Sequence, residues 1–536
     1  MAQLGIRPLC ARSSAARHLF PLLALLPFLC RGLQQPQYLC FNKMYGCTTQ
    51  PGCWNENAPA SVTQASIDLL LVSLNHTRGT PSRRLCLGYQ FNVLDGSPAV
   101  DKMASLEALL ALSLANDLPV VITIDPFEFW AGAQALWNWF DPAAPGFDPA
   151  NSANVEWSGP SPQNATAIAW CNWGAQFRKA PHPNLASPAF RAAAAAAVRP
   201  FAARLAAWLR GTLAPLGRED LLAGVKVSWE AWVGVNFFFY PGGNAYVDSP
   251  PSQDPQAGIR ESVQLGFAAV CTASPWDCPP PGVSLTQAQV DVVLHDYLEF
   301  AAGVVAAEGL PRHKLLTHAG TFFGAPPFAS SVAFNSPSAA VTTAAKPGWS
   351  LYAFAFDPAR AAGLAEALGA LAGAPWAATE WRYMGGNSGA PVEQWRAAME
   401  NTLGFLNNRM LDVYNWENIP AEALAAAAEV LSAPPPCLVD SAANLTSARV
   451  NATAVALSWA PGAHADTVML LASSVPLTLP SGELAAPNLA HAELPSAAAG
   501  LELPLPEGGP PAYWTVASRG CGGAQLVVAA VSVVGS

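Results

Sequence analysis

Between residues 38 and 431 the chain alternates short apolar runs with longer stretches of helical periodicity, a rhythm that admits few folds. The apolar runs fall at 38–45, 84–92, 118–125, 223–230, 314–318, 349–356, 376–382 and 411–416. Helical stretches fall between and after them, at 61–75, 100–116, 189–213, 286–308, 359–371, 392–407 and 421–431. Eight apolar runs alternating with these helical stretches predict an α/β fold of the (β/α)8 TIM-barrel class over residues 38–433. Ala-rich sequence at 189–213 is broken by Arg191, Arg199, Arg204 and Arg210 into buried and solvated faces. It reads as a surface helix, kinked or interrupted at Pro200.

Pro434, Pro435 and Pro436 end the helical pattern, and the composition beyond them turns to Val, Thr, Ser and Pro. Residues 444–450, 454–459 and 513–517 alternate as half-buried strands do, so a small all-β sandwich is expected over 438–536. Trp459 on its second strand and Tyr513 before its sixth make this segment resemble a fibronectin type III module, in which such aromatics pack the core. The apolar end of the chain, 526–534, is expected to be a final strand rather than a lipid-anchor signal, because no polar spacer sets it apart.

Arg7, Arg12 and Arg17, then an apolar run over 19–30, have the layout of a secretory signal peptide, with residues 1–33 as the leader. Asn75, Asn164, Asn444 and Asn451 each stand two residues before Thr, as glycosylation acceptors in a secreted chain do. The expected location is therefore extracellular, with no integral membrane segment in the mature chain. Two of the 11 cysteines lie in the leader, and the remaining nine allow four disulfides. Cys271 with Cys278 would close a short Pro-rich loop, and Cys437 with Cys521 would staple the terminal module. Charged residues are only 12% of the chain and the formal charge is −10, so no basic footprint for nucleic acid exists. Eighteen tryptophans supply flat indole faces suited to stacking on a ligand.

Active sites of barrels lie at the C-terminal ends of the strands, so the polar residues that end them are the candidates. Strand four closes on Glu230 and strand seven on Glu380. Period-two alternation puts Lys226, Ser228 and Glu230 on one face of strand four, expected to point inward, with Val225, Val227 and Trp229 on the other. Two carboxylates at facing strand ends are what glycosidic cleavage needs, one protonating the leaving oxygen and the other attacking or activating water. Arg382, two residues past Glu380, is a candidate cation for keeping the nucleophile ionised.

That placement resembles clan A glycoside hydrolases, whose barrels end strand four with a Glu acid/base and strand seven with a Glu nucleophile. The resemblance implies Glu230 as acid/base, Glu380 as nucleophile, retention of configuration and a β-linked substrate. Most families of the clan carry Asn before the acid/base, and here that residue is Trp229. Asn92, Asp125, Trp229, Asn236, His318, Tyr352, Trp381, Arg382 and Trp416 make up the expected carbohydrate-binding rim, with Glu128 and Tyr240 beside it. By the same resemblance Trp416 floors the sugar site. Six tryptophans at positions 130–173 mark the insertion after strand three as a substrate wall. No cofactor or metal is called for, since no phosphate loop, nucleophile elbow or His-Glu-x-x-His pair occurs. An inverting α-glucan hydrolase and a catalytically silent carbohydrate-binding barrel remain as alternatives.

Overall fold

A computed structural model describes residues 36–43, 63–172, 176–236, 263–321, 323, 332–369, 374–384, 389–414, 416 and 419–433, together with the strands of a second unit between 443 and 534. Contacts divide the chain into two compact units, one formed by Pro36–Ala367 and Pro375–Pro434 and the other containing those later strands.

The first unit is a closed barrel of eight parallel strands. They are β1 (Gln37–Lys43), β2 (Arg83–Asn92), β3 (Val120–Asp125), β4 (Leu222–Ala231), β5 (Leu315–Ala319), β6 (Gly348–Leu351), β7 (Trp376–Trp381) and β8 (Asn408–Val413). Each pairs with the next, and β1 pairs with both β2 and β8, which closes the ring. Strand six is shorter than expected and strand eight begins and ends earlier. Around the barrel stand α1 (Gln64–Ser73), α2 (Ala99–Asn116), α3 (Pro188–Trp208), α4 (Gln287–Ala307), α5 (Leu364–Gly369), α6 (Val392–Gly404) and α7 (Ala421–Ser432). Between β5 and β6 the described residues hold only a short 3₁₀ turn, Pro337–Ala340, in place of an eighth helix.

Local chemistry sets the helix ends. Ser187 caps α3 by accepting from Phe190 N, with Pro188 pre-set for the first turn, and Thr286 with Gln289 forms a capping box on α4. Helix α3 is not interrupted at Pro200; it runs through to Trp208 and continues into a π turn, Leu209–Leu213. Its buried stripe of Phe190, Ala194, Val198, Phe201 and Leu205 faces the barrel, and each large side chain so buried stabilises by about 1.5–3 kcal/mol.

Layers fill the barrel interior. Tyr38, Cys40, Cys86, Val121, Ala223, Leu316, Ala377 and Met410 form an apolar layer, in which Cys40 and Cys86 are joined by a disulfide. Further along the strands comes a charged layer. Lys226 Nζ of β4 donates to Asp412 Oδ2 of β8 at 2.6 Å and to the Thr379 carbonyl of β7 at 2.9 Å. Gly88 makes room for it, because a Cβ there would stand 2.7 Å from Asp412 Oδ1. The expected short-loop disulfide, Cys271–Cys278, is present, Cys40–Cys86 is a pairing not expected, and Cys437 and Cys521 lie outside the described residues, as does the leader.

In the second unit β9 (Ala443–Asn451), β10 (Ala454–Ala460) and β13 (Gly500–Pro504) form one antiparallel sheet in the order β9-β10-β13. A second contains β11 (Thr467–Ser473), β12 (Ala490–Pro495), β14 (Ala512–Gly520) and β15 (Gln525–Val534), in the order β12-β11-β14-β15. Trp459 lies on β10 and Tyr513 on β14, and the apolar end of the chain forms β15.

Candidate active site

Strand β4 departs from simple alternation where it reaches the rim. Thr317 and Ala319 of β5 pair with Val227 and Ala231, so three residues of β4, 228–230, stand opposite one of its neighbour. Within this bulge Ser228 and Glu230 take φ of 67° and 44°, left-handed values that cost a non-glycine residue of order 1–3 kcal/mol each. The expected inward set is corrected accordingly. Lys226 points into the barrel, but Ser228 Oγ lies 2.8 Å from Tyr297 OH on the outer helix α4. Trp229, expected on the opposite face from Glu230, donates its indole N–H to Glu380 Oε2. Asp125 holds the bulge in place by accepting Trp229 N at 3.1 Å.

Glu230 and Glu380 come together with His318. One ligand-capable atom from each lies within 4.8 Å of the others. Glu380 accepts from Trp229 Nε1 at Oε2 and from the Tyr352 hydroxyl at Oε1. His318 Nε2 lies 2.9 Å from Ser350 Oγ and 3.5 Å from Glu380 Oε2. Ser350 also hydrogen-bonds Glu230. A hydroxyl that donates to Glu230 must accept from the imidazole, which places the proton of a neutral His318 on Nε2. Burial and the Lys226 charge keep His318 neutral, its pKa well below the usual value.

Burial raises the pKa of Glu230 to about 7, with Glu128 adding to the rise and Ser350, Lys179 and Lys226 opposing it. Glu380 is also raised, first by burial and then by the charge of Glu230, against the hydrogen bonds from Tyr352 and Trp229 and the charge of Lys226. Two carboxylates this close do not both ionise freely, so the pair retains a proton to higher pH than either would alone. Lys226, beneath Glu380, is a cation that lowers its pKa, and Arg382 lies half-buried just beyond β7 with its backbone N–H on the Leu351 carbonyl.

The remaining expected rim residues divide. Tyr352 stands on the dyad, as described. Asp125 is fully buried and accepts from Phe127 N, Glu128 N, Phe129 N and Trp229 N, so it positions backbone and does not open onto the cleft. Asn236 ties two loops, accepting Trp170 N and donating to the Ile168 carbonyl. Trp381 points outward, its indole N–H on Thr402 Oγ1 and its ring against Trp395. Asn92 is buried at the end of β2 and accepts from Gln90 Nε2. Trp416 is buried beyond β8, its Nε1 without a hydrogen-bond partner among the described residues. The β8 aromatic that reaches the dyad's neighbours is Tyr414, 6.3 Å from the Trp229 ring and 6.5 Å from that of Tyr352. Tyr240 lies outside the described residues.

Lys179, in the insertion after β3, was not among the expected site residues. Its ammonium meets Glu128 Oε1, donates to the Glu128 carbonyl at 3.1 Å and sits 5.3 Å over the Phe129 ring. Trp229 and Tyr352 donate to the two oxygens of Glu380, and Ser350 stands between His318 and Glu230.

No family model matches the sequence, and no curated protein matches it. Among solved structures, a GH5-4 broad specificity endoglucanase from an uncultured bacterium aligns at 10% identity and a TM-score of 0.35, over 73% of this chain and 94% of that one. PbGH5A, a glycoside hydrolase family 5 enzyme from Prevotella bryantii B14, aligns at 12% identity and 0.33, over 74% and 96%. An FN3 domain of human collagen XX aligns at 19% identity and 0.14, over 19% of this chain and all of that one. At such identities and scores the fold assignment rests on the barrel's own strand pairing.

Proposed function

We propose that this chain is a secreted glycoside hydrolase that cleaves O-glycosidic bonds of a β-linked poly- or oligosaccharide with retention of anomeric configuration. The observation that carries the reading is the pairing of Glu230 with Glu380 at the ends of β4 and β7, with a carboxylate oxygen of each within 4.8 Å. Retaining glycosidases set their two carboxyl groups about 5–5.5 Å apart, inverting ones roughly 6.5–9.5 Å. Two disulfides in the barrel unit fit the oxidising route expected from the leader.

In this mechanism Glu230 carries the shared proton and Glu380 the charge, because Trp229 and Tyr352 both donate to Glu380. An oxygen of Glu380 attacks the anomeric carbon while the proton of Glu230 passes to the departing glycosidic oxygen. The C–O bond breaks and a glycosyl ester forms on Glu380. Water then enters, gives its proton to Glu230 and displaces the ester, restoring both groups. Trp229, in the place where the resembling families carry Asn, orients the nucleophile directly.

Proton NMR of the first reducing ends released from a β-glycan tests this. Retention requires the β-anomer to appear first and then mutarotate. First appearance of the α-anomer would assign inversion and remove Glu380 as nucleophile.

A further inference from the structure

Beside the dyad lies a second concavity that the catalytic argument does not use. It is a cavity of 540 Å³ in the insertion after β3, lined among others by Phe129, Trp130, Trp137, Phe140, Glu128 and Lys179. That volume is within the range of small-molecule sites, roughly 300–1,000 Å³. Trp137 and Phe140 are half-exposed, with ring centroids 6.2 Å apart and planes inclined by 26°, and both line the cavity. The wall is built rigidly. Trp137 Nε1 bonds the Ala131 carbonyl, and Asn138 donates to the carbonyls of Asp141, Ala144 and Pro145.

Two sets of contacts join the wall of the cavity to the catalytic centre. Phe129 stacks on Trp229 at 5.4 Å and 26°, and Trp229 donates to Glu380. Glu128 and Lys179 both act electrostatically on Glu230. Because these two charges pair with each other, the polar corner is close to neutral and supplies an acceptor and a donor side by side.

We propose that this cavity is a subsite for an uncharged pyranose unit of the same glycan chain that occupies the dyad. One sugar face stacks on Trp137 and Phe140, and its hydroxyls meet the Glu128–Lys179 pair. This proposal rests on the hydrolase reading, and the test separates the two. Initial rates are measured on disaccharides to hexasaccharides of β-1,4-glucan, β-1,3-glucan, β-1,4-mannan, β-1,4-xylan and β-1,4-galactan. The proteins compared are wild type, Trp137→Ala, Trp137→Phe, Phe140→Leu and Trp276→Ala; Trp276 is 96% exposed and does not line the cavity.

For the hexasaccharide that wild type cleaves, Trp137→Ala raises KM about tenfold and Phe140→Leu raises it in the same direction. The rise is smaller for the disaccharide, Trp137→Phe recovers most of the loss, and Trp276→Ala matches wild type. A hexasaccharide cleaved by wild type with KM unchanged in both Trp137→Ala and Phe140→Leu overturns the subsite alone. Equal rises for disaccharide and hexasaccharide also overturn it, since they place the effect at the dyad. If wild type cleaves none of the panel, the hydrolase reading for these glycans falls and the subsite falls with it.

Discussion

Lys226 reaches from β4 to the strands opposite, where one ammonium holds the Asp412 carboxylate and the carbonyl that precedes Glu380. It therefore positions the backbone of the proposed nucleophile and places a positive charge beneath both carboxylates. Both partners are fully buried, so removing one leaves the other charge unpaired, which costs roughly 3–5 kcal/mol. Lys226→Met should lower unfolding stability by that order, read by urea denaturation. Because the Lys226 charge lowers the pKa of Glu230 and of Glu380, its removal moves both upward. The pH–rate profile of a correctly folded variant then shifts toward alkaline pH. Lys226→Met combined with Asp412→Leu should regain stability while keeping that shift; recovery of the wild-type profile would reduce Lys226 to a structural role.

Which single residues end the strands was legible, since Glu230 and Glu380 close apolar runs that any reading of the sequence isolates. Where their neighbours point was not. Trp381 faces a helix and Asp125 holds backbone N–H groups because of register and hydrogen-bond partners, neither of which is local in sequence. Lys179 sits in an insertion without periodicity, so nothing marked it beforehand.

At the scale of elements, the alternation of apolar runs and helical periodicity made the barrel legible, because both are local patterns. The bulge in β4 was hidden, since it exists only as a mismatch with β5. It decides the site by bringing Trp229 and Glu230 to the same cleft. The insertion after β3 is tied to the loop after β4 by Glu156, whose Oε2 accepts from Gly266 N at 2.9 Å and Ala268 N at 3.2 Å. Burial pushes this carboxyl from 4.5 up to about 8, against those backbone hydrogen bonds. Between those two values the unfolded chain has lost the proton while the folded chain keeps it. The folded state thus binds more protons, and this group's contribution makes unfolding free energy fall as pH rises from 4.5 to 8 and level off above. Thermal denaturation of Glu156→Gln across that window should show a shallower decline than wild type. Equal slopes would mean that Glu156 does not carry the linkage.

For the whole molecule, a closed barrel and a separate small β unit were both legible from composition, since the Pro run at 434–436 marks where helical periodicity stops. The proposed chemistry belongs to the barrel unit, which holds the dyad, the charged layer beneath it and the aromatic cavity beside it. The most direct test of that account is the release of reducing ends from a panel of β-linked glucans, mannans, xylans and galactans by wild type and by Glu380→Gln. Wild type should act on at least one glycan, and Glu380→Gln should be slower by about a thousandfold or more while retaining the folded-state circular dichroism of wild type. Equal rates in the two proteins, or binding of a glycan by wild type without any turnover, would contradict it.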